Sequence, residues 1–412
     1  MRNSSAALIF IIITVLIDVI GIGVIIPVIP SLIQNLSDYG LDDAAWIGGL
    51  LLASYALMQF VFAPFVGELS DRFGRRPILL IALLGLGLDY FFHAIAPTLF
   101  LLFIGRIIAG FMGSSFTVAH SYIADISTKE NKARNFGFIG AAFGIGFIIG
   151  PLIGGVAAYC WGFRAPFYVA AVLTLLNFFY GLIFIPESLP PEKRRPINWM
   201  NVIPVASLVN LGRYKALGGL LVAFFFSNLA GQALPTSWTF FTIEKFNWTE
   251  LDIGISLGFI GFMVAIVQAL LVGKAVKKFG EKKTIMCGFI LWSIGMILFS
   301  IAGSTFVLYC FLIPYILGGV ASPTLQGFLS NQVPDNEQGN LQGSLTSMIS
   351  LTAVIGPLIY GSLFDLFVGE GAPWYYPGAP YAMGAIFLSL GCVTAIFSLR
   401  KLGSSMGNNP TS

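Results

Sequence analysis

Twelve apolar runs, most of them close to 20 residues long, follow one another along this chain with only short polar interruptions. An α-helix rising 1.5 Å per residue needs about 20 such residues to cross roughly 30 Å of hydrocarbon. A chain with twelve of them is built for a membrane. Composition agrees. Of the 412 residues 57% are hydrophobic and only 10% are charged, whereas soluble domains carry about 25% charged residues. With 22 basic and 19 acidic side chains the chain cannot coat a globule of this size with charge, so its apolar surface faces lipid. The same numbers exclude a soluble enzyme. Nucleic-acid binding is excluded as well, because a net charge of +3 leaves no phosphate-neutralising surface. Cys160, Cys287, Cys310 and Cys392 are scattered without metal-ligand spacing and read as small packing residues. Neither a metal nor a cofactor is expected.

The spans read at 6–30, 46–66, 77–96, 99–124, 136–158 and 165–185, then at 216–240, 251–275, 284–302, 305–330, 340–364 and 381–399. The first run is too long for a signal peptide and lacks a clean small-residue cleavage site, so it counts as a span. The predicted fold is all-α, with a six-helix bundle over 1–186, a connector over 187–215, a second six-helix bundle over 216–401 and a tail over 402–412. Pro190, Pro191, Pro196 and the basic run Lys193, Arg194 and Arg195 mark the connector as solvated. Cytoplasmic loops hold the excess of Lys and Arg. With twelve spans, Arg164 and Lys245 fall on one side, Arg106 falls inside a span, and the other 19 of 22 basic residues share the side of the N-terminus. Both termini are therefore expected in the cytoplasm of a multi-pass inner-membrane protein.

The halves repeat. At an offset of 206 residues, Gly67–Gly74 (GELSDRFG) falls on Gly273–Gly280 (GKAVKKFG), and Ile149–Ile153 (IGPLI) falls on the same string at Ile355–Ile359. Parallel repeats of this kind let transporters place a site near the midplane between two bundles.

Ionisable groups inside lipid cost about 2.5 to 3.5 kcal/mol at a span's centre and are functional by default. Asp18, Asp89 and Arg106 all lie about 15 to 18 Å deep by residue count. An always-charged arginine between two carboxylates neutralises one and leaves the other free to carry a proton. His93, one turn after Asp89 on the same face, offers a structural partner instead. In the tight loop Gly67–Pro77, Gly67 and Gly74 allow a reversal and Pro77 suits a first helical turn. Arg72 and Arg76 serve as positive anchors. Asp71 is expected to cap another helix's N-terminus, and Arg75 to pair with Asp125, contacts that form in one conformation and break in another. Gly140, Gly144, Gly146, Gly150, Gly154 and Gly155 strip one face of the fifth span, and Pro151 interrupts its ladder. Gln59, Asn228, Gln232, Gln268 and Gln326 are polar groups within spans and candidates for a substrate cavity. Phe224, Phe225, Phe226, Trp238 and Phe240 are candidate ligand contacts too, with lipid contact as the default for most.

The loop GELSDRFGRRP, the string GRIIAG around Arg106 and the string GFIIGPLIGG at 146–155 resemble the signature motifs of the major facilitator superfamily, in particular its twelve-span drug/proton antiporters. Within that group the chain is most similar to tetracycline/proton antiporters, through IDVIGIGVIIPVIP at 17–30, SYALMQFVFAP at 54–64, GLDY at 87–90 and TLQGFLS at 324–330. The resemblance implies proton-coupled export of a small amphipathic compound by alternating access. It also ties Asp18, Asp89, Asp71, Arg75, Arg106, Asp125, Gln59 and Gln268 to transport. Two positions depart from the pattern. Trp292 stands where tetracycline antiporters have an acid in the ninth span, and Val264 where they have a histidine in the eighth. Trp292 is therefore expected to touch a substrate less cationic than a tetracycline–metal chelate. The expected partners are that substrate, protons and the bilayer, with the chain acting as a monomer. A proton-coupled symporter or uniporter for a metabolite is the alternative.

Overall fold

The structure, a computed structural model, describes residues 2–127, 132–197, 217–333 and 338–407. Most of the connector with Arg213 and Lys215, the loop residue Lys129, the acids Asp335 and Glu337, and the end of the tail from 408 lie outside the described residues. Among the described residues twelve helices are long and apolar enough to cross a membrane. Spans 1 to 6 are Ala7–Leu36, Leu41–Phe73, Arg75–Ile95, Leu99–Ile126, Asn135–Trp161 and Ala165–Phe184. Spans 7 to 12 are Gly218–Phe246, Glu250–Leu270, Glu281–Ile301, Thr305–Asn331, Leu341–Val368 and Ala379–Arg400. Each predicted span is one of these helices. Span 2 is much longer than the 46–66 read from hydropathy. Asp42 and Asp43 extend its first turn, where acids complement the helix dipole, and it stops only at Gly74, whose φ of 103° a side chain would resist.

The offset of 206 residues seen in the sequence recurs in backbone irregularities. Gly74 and Gly280 both take positive φ, at 103° and 80°, at the corners before spans 3 and 9. Thr98 and Ser304 both cap the following helix by accepting the N–H three residues on, at 3.4 Å each. Span 4 pauses between Met112 and Ser115, and span 10 between Gly318 and Ala321. Span 1 tightens to a 3₁₀ turn at Ile26–Val28, where Pro27 supplies no N–H, and span 7 pauses at Gln232. Pro151 and Pro357 sit inside continuous helices.

The chain divides into two compact units, Met1–Pro204 with Trp248–Gly261, and Val205–Asn247 with Phe262–Ser412. In the first, Phe10, Val15, Leu79, Leu83, Val118 and Tyr122 belong to one buried apolar cluster. Small residues set the helix spacing, as expected where lipid removes the hydrophobic drive between helices. The second unit is centred on aromatic edges: Trp238 meets Phe299 at 5.7 Å and Tyr381 at 6.4 Å between ring centroids, and Phe241 meets Tyr381 at 5.1 Å. Edge-on pairs of this kind add about 0.5 to 1.5 kcal/mol each. This corrects the lipid-contact expectation for three rings. Phe224, Trp238 and Phe240 are 1%, 0% and 3% exposed, because they pack on other rings and helices inside their own unit.

Candidate functional site

Asp18, Asp89 and Arg106 are 5%, 4% and 9% exposed, and all belong to the first unit. Arg106 lies within electrostatic reach of Asp89, Tyr90 and Tyr55, and Tyr55 in turn within reach of Asp18, Arg106 and Asp89. Two tyrosines thus link the three charges. Neither was singled out from sequence, although Tyr90 follows Asp89 directly and Tyr55 shares a helix face with Gln59, four residues on. Glycines make the room. A Cβ on Gly21, one turn after Asp18, would stand 2.5 Å from the Tyr90 hydroxyl, and one on Gly113 equally close to the Tyr55 hydroxyl. Gln59 donates its amide to the Gly113 carbonyl at 3.0 Å, in the pause of span 4 where the helix ladder leaves carbonyls without their usual donors.

Span 5 positions the helix that bears Asp18. A Cβ on Gly146 would lie 2.8 Å from that of Val19 and 3.0 Å from the Leu16 carbonyl, and one on Gly150 would lie 2.9 Å from both the Gly23 Cα and the Ile20 carbonyl. Gly154 sits against Val24 in the same way, and Gly155 against Gly254. Gly140 and Gly144 face open space instead, so the small-residue stripe has a packed part and an open part.

His93 stands against Asp89 as a charge partner, while neither Asp89 carboxylate oxygen has a hydrogen-bond partner among the described residues. The His93 Nδ1 stands 3.1 Å from Asp89 Oδ2 and 2.9 Å from the Asp89 backbone carbonyl, and its ring stacks on Phe167 with centroids 5.7 Å apart.

At the basic end of the unit, Arg75 is buried and pairs with Asp71, with Asp125 at 3.1 Å and with the Ser70 hydroxyl at 2.6 Å. Asp71 also pairs with Arg195, which reaches Glu68 at 3.2 Å. The Asp71 carboxylate, first by hydrogen bonding and then by its charge, raises the Arg195 guanidinium further above its ordinary range. Here the sequence expectation needs correcting: Asp71 faces guanidinium groups, and the helix-capping carboxylate is Glu187. It accepts the Arg75 N–H at 2.9 Å and the Arg76 N–H at 3.3 Å, two of the donors that the N-terminus of span 3 leaves free. Arg76 donates to the Leu182 carbonyl at 2.8 Å, and Arg72 lies over the Phe73 ring. A Cβ on Gly67 would only touch Thr117, at 3.4 Å. Glu187 was missed because it stands in the connector, where hydropathy reads only solvation. An acid just after Pro186, followed by a basic run, was the available signal.

The second unit is apolar where the first is charged. Counting on by 206 residues from Asp18, Asp89, His93 and Arg106 reaches Phe224, Gly295, Phe299 and Leu312, and Phe224, Phe299 and Leu312 are buried. Every acid in spans 7 to 12, from Glu244 to Asp365, lies within three residues of a span's end. Among the predicted polar candidates, Asn228 donates to the Phe224 carbonyl of its own helix at 2.8 Å, and Gln326 donates to Gln342 at 3.1 Å. Gln232 lies at the pause of span 7 against Gly356, and Gln268 is exposed. Trp292 is half-buried, edge-on to Tyr315 at 6.2 Å, with Gly231 facing its ring at 3.8 Å. These residues come from four different spans, and Trp238 is core instead.

The model of the Major Facilitator Superfamily matches residues 11–274 and 220–411. The chain is 40% identical to the tetracycline resistance protein, class C, of Escherichia coli over 96% of its own length and 97% of that protein's. It is 31% identical to the quinolone resistance protein NorA of Staphylococcus aureus, over 85% and 87% of the two lengths. Solved structures share the fold at lower identity. A bacterial homolog of the human lysosomal transporter Spinster superposes with a TM-score of 0.79 at 14% identity, covering 97% of each chain. The human organic anion transporter MFSD10 does so at 0.71 and 21%, covering 96% of this chain and 100% of that one. Twelve spans, two halves of the sequence repeating at one offset and a buried cluster of charges in the first accord with these relatives: the chain is a transporter and not an enzyme, and it belongs to the Major Facilitator Superfamily.

Proposed function

We propose that this chain is a proton-coupled exporter of the inner membrane, moving protons inward and a small amphipathic aromatic compound outward. The observation that carries this is the cluster of Asp18, Asp89 and Arg106 with Tyr55 and Tyr90, buried in one unit, while the second unit keeps its acids at span ends. Three charges held in a low-dielectric interior are costly unless one of them titrates during the cycle. The relatives named for tetracycline and quinolone resistance support export of a drug-like compound. Asp18, Asp89 and Arg106 form the proton-coupling cluster, Arg106 neutralises one of its two carboxylates, and Asp71, Arg75 and Asp125 hold the basic end in one of two states. Trp292, Gln232 and Gln326 contribute to the substrate site.

A panel of quinolones, tetracycline with Mg²⁺ and neutral aromatic dyes, added to energised inverted vesicles and read as proton release, tests the proposal. Release by at least one compound, with uptake abolished by an uncoupler, is the expected result. Substrate movement in the same direction as the proton would establish the symporter alternative and end the export reading.

A further inference from the structure

His93 is 2% exposed, lies beside the proton-coupling cluster, and has no part in the reading above. Its Nδ1 is hydrogen-bonded to the Asp89 carbonyl at 2.9 Å, and the Asp89 carboxylate stands beside it, with Oδ2 at 3.1 Å but not hydrogen-bonded. Nδ1 can therefore only donate, and in the neutral ring the lone pair belongs to Nε2. Nε2 is shielded from solvent and has no hydrogen-bond partner in the protein. It is also well accommodated: a Cβ on Gly105, the residue before Arg106, would stand 2.9 Å from both ring nitrogens. His93 and Arg106 are the polar lining of a cavity of ≈ 10 Å³ whose other walls include Ile25, Leu51, Leu102 and Phe167. That volume is about the room a single water needs, and the two side chains supply it with polar partners.

We propose that His93 binds the coupling proton. The proton arrives from the cavity at Nε2, the neutral imidazole becomes an imidazolium, and the Asp89 carboxylate against Nδ1 holds the new charge. No other bond changes. The inference rests on the proton-coupled reading above and assigns that reading's proton to an atom. The charged and titratable groups around the ring come from every packed element. Asp89 and Tyr90 lie on its own span, Arg106 on span 4 shares the cavity with it, and Asp18 on span 1 and Tyr55 on span 2 belong to the charge cluster that includes Asp89. Arg164 at the start of span 6 donates to the Ala94 carbonyl at 2.8 Å. On span 4's far half, Asp125 is engaged by Arg75 at the opposite end of the helix. Asp89 is the charge in direct contact, at 3.1 Å, and Arg106 shares the cavity, so any movement of Arg106 relative to the ring changes the field at Nε2. That is the property a coupling site needs.

The chain has two histidines. ¹⁵N-histidine NMR of the full-length protein carrying His120→Gln therefore reads His93 alone, without altering the site. Nε2 is expected to pass from bare to protonated within the pH range where the protein stays folded. A ring that stays neutral with its proton on Nδ1 throughout that range overturns the proposal. In proteoliposomes, His93→Gln is expected to lower proton-driven accumulation of the best-carried compound of the panel by about 10²-fold, the low end for a positioned proton-transfer group. Its counterflow without a pH gradient is expected to continue. Unchanged accumulation, or equal loss of both activities, overturns the assignment. Failure of the unmodified protein to couple protons at all sinks the underlying reading instead.

Discussion

A buried carboxylate is tolerated at one depth of a membrane helix only if its surroundings return what lipid removes. Asp18 has Tyr55 and the nearby charges for that purpose. Replacing it with Asn keeps the shape and removes the titration, so Asp18→Asn is expected to abolish uphill transport while leaving downhill exchange and folding intact. Accumulation driven by an imposed pH gradient, set beside counterflow in the same proteoliposomes, measures both. Retained accumulation would relieve Asp18 of its role. That Asp18, Asp89 and Arg106 matter was legible from sequence, because a charge in a long apolar run is conspicuous. Their tyrosine neighbours were not. A tyrosine in an apolar run is unremarkable until a glycine on another helix is seen making space for its hydroxyl, as Gly21 does for Tyr90 and Gly113 for Tyr55.

Helices tell the two parts of the small-residue stripe apart. Gly150→Ala would drive a methyl against the Ile20 carbonyl and the Gly23 Cα, both backbone atoms at 2.9 Å. It is expected to cost about 1 to 3 kcal/mol and to lower the melting temperature in detergent. Gly140→Ala meets nothing within 4 Å, and since alanine is the better helix former by up to about 1 kcal/mol, it is expected to be neutral or stabilising. Equal effects of the two would mean that the stripe does not seat span 5 on span 1. The N-terminus of span 3 gives a second test. Glu187→Gln weakens a charged cap on the Arg75 and Arg76 N–H groups and is expected to cost about 0.5 to 2 kcal/mol. Arg195→Ala, at a side chain 56% exposed, should cost no more than about 1 kcal/mol. Melting of the two variants in parallel ranks them. Span positions were legible because hydropathy and length suffice. The cap was not, since it joins residues 112 apart through a connector without periodicity.

Across the whole molecule, one structural repeat has been given two chemistries. The contact that Arg75 and Asp125 make in the first unit is made in the second, 206 residues on, by Glu281 and Asn331, with the Asn331 amide donating at 3.2 Å. Corners, caps and pauses have kept their places while charges have been inverted or removed. The second unit is left with apolar counterparts of the coupling residues and with Trp292 half-buried beside Tyr315. An organic cation there would exchange hydration for, at most, a cation–π contribution of about 0.5 to 2 kcal/mol. Neutral or weakly charged aromatic compounds are therefore expected to be carried better than tetracycline–Mg²⁺, and Trp292→Asp is expected to raise transport of the chelate. Vigorous tetracycline efflux by the unmodified protein, undiminished relative to that variant, would remove charge as the basis of its selectivity.

The clamp at the basic end also bears on how the chain is made. Spans 1 to 6, the Glu187 cap and the Arg195 pairs with Asp71 and Glu68 all lie within the first 195 residues. All of them are synthesised before the second half of the chain. The nascent first half can therefore close its loop between spans 2 and 3 before any of the second half enters the translocon, and a stop codon placed just after residue 195 would still release every partner in that clamp. The seat of Gly155 on Gly254 has to wait until span 8 is inserted. Assembly thus has a built-in order, in which the half that holds the charges is tied off at one end early and receives its last neighbour late.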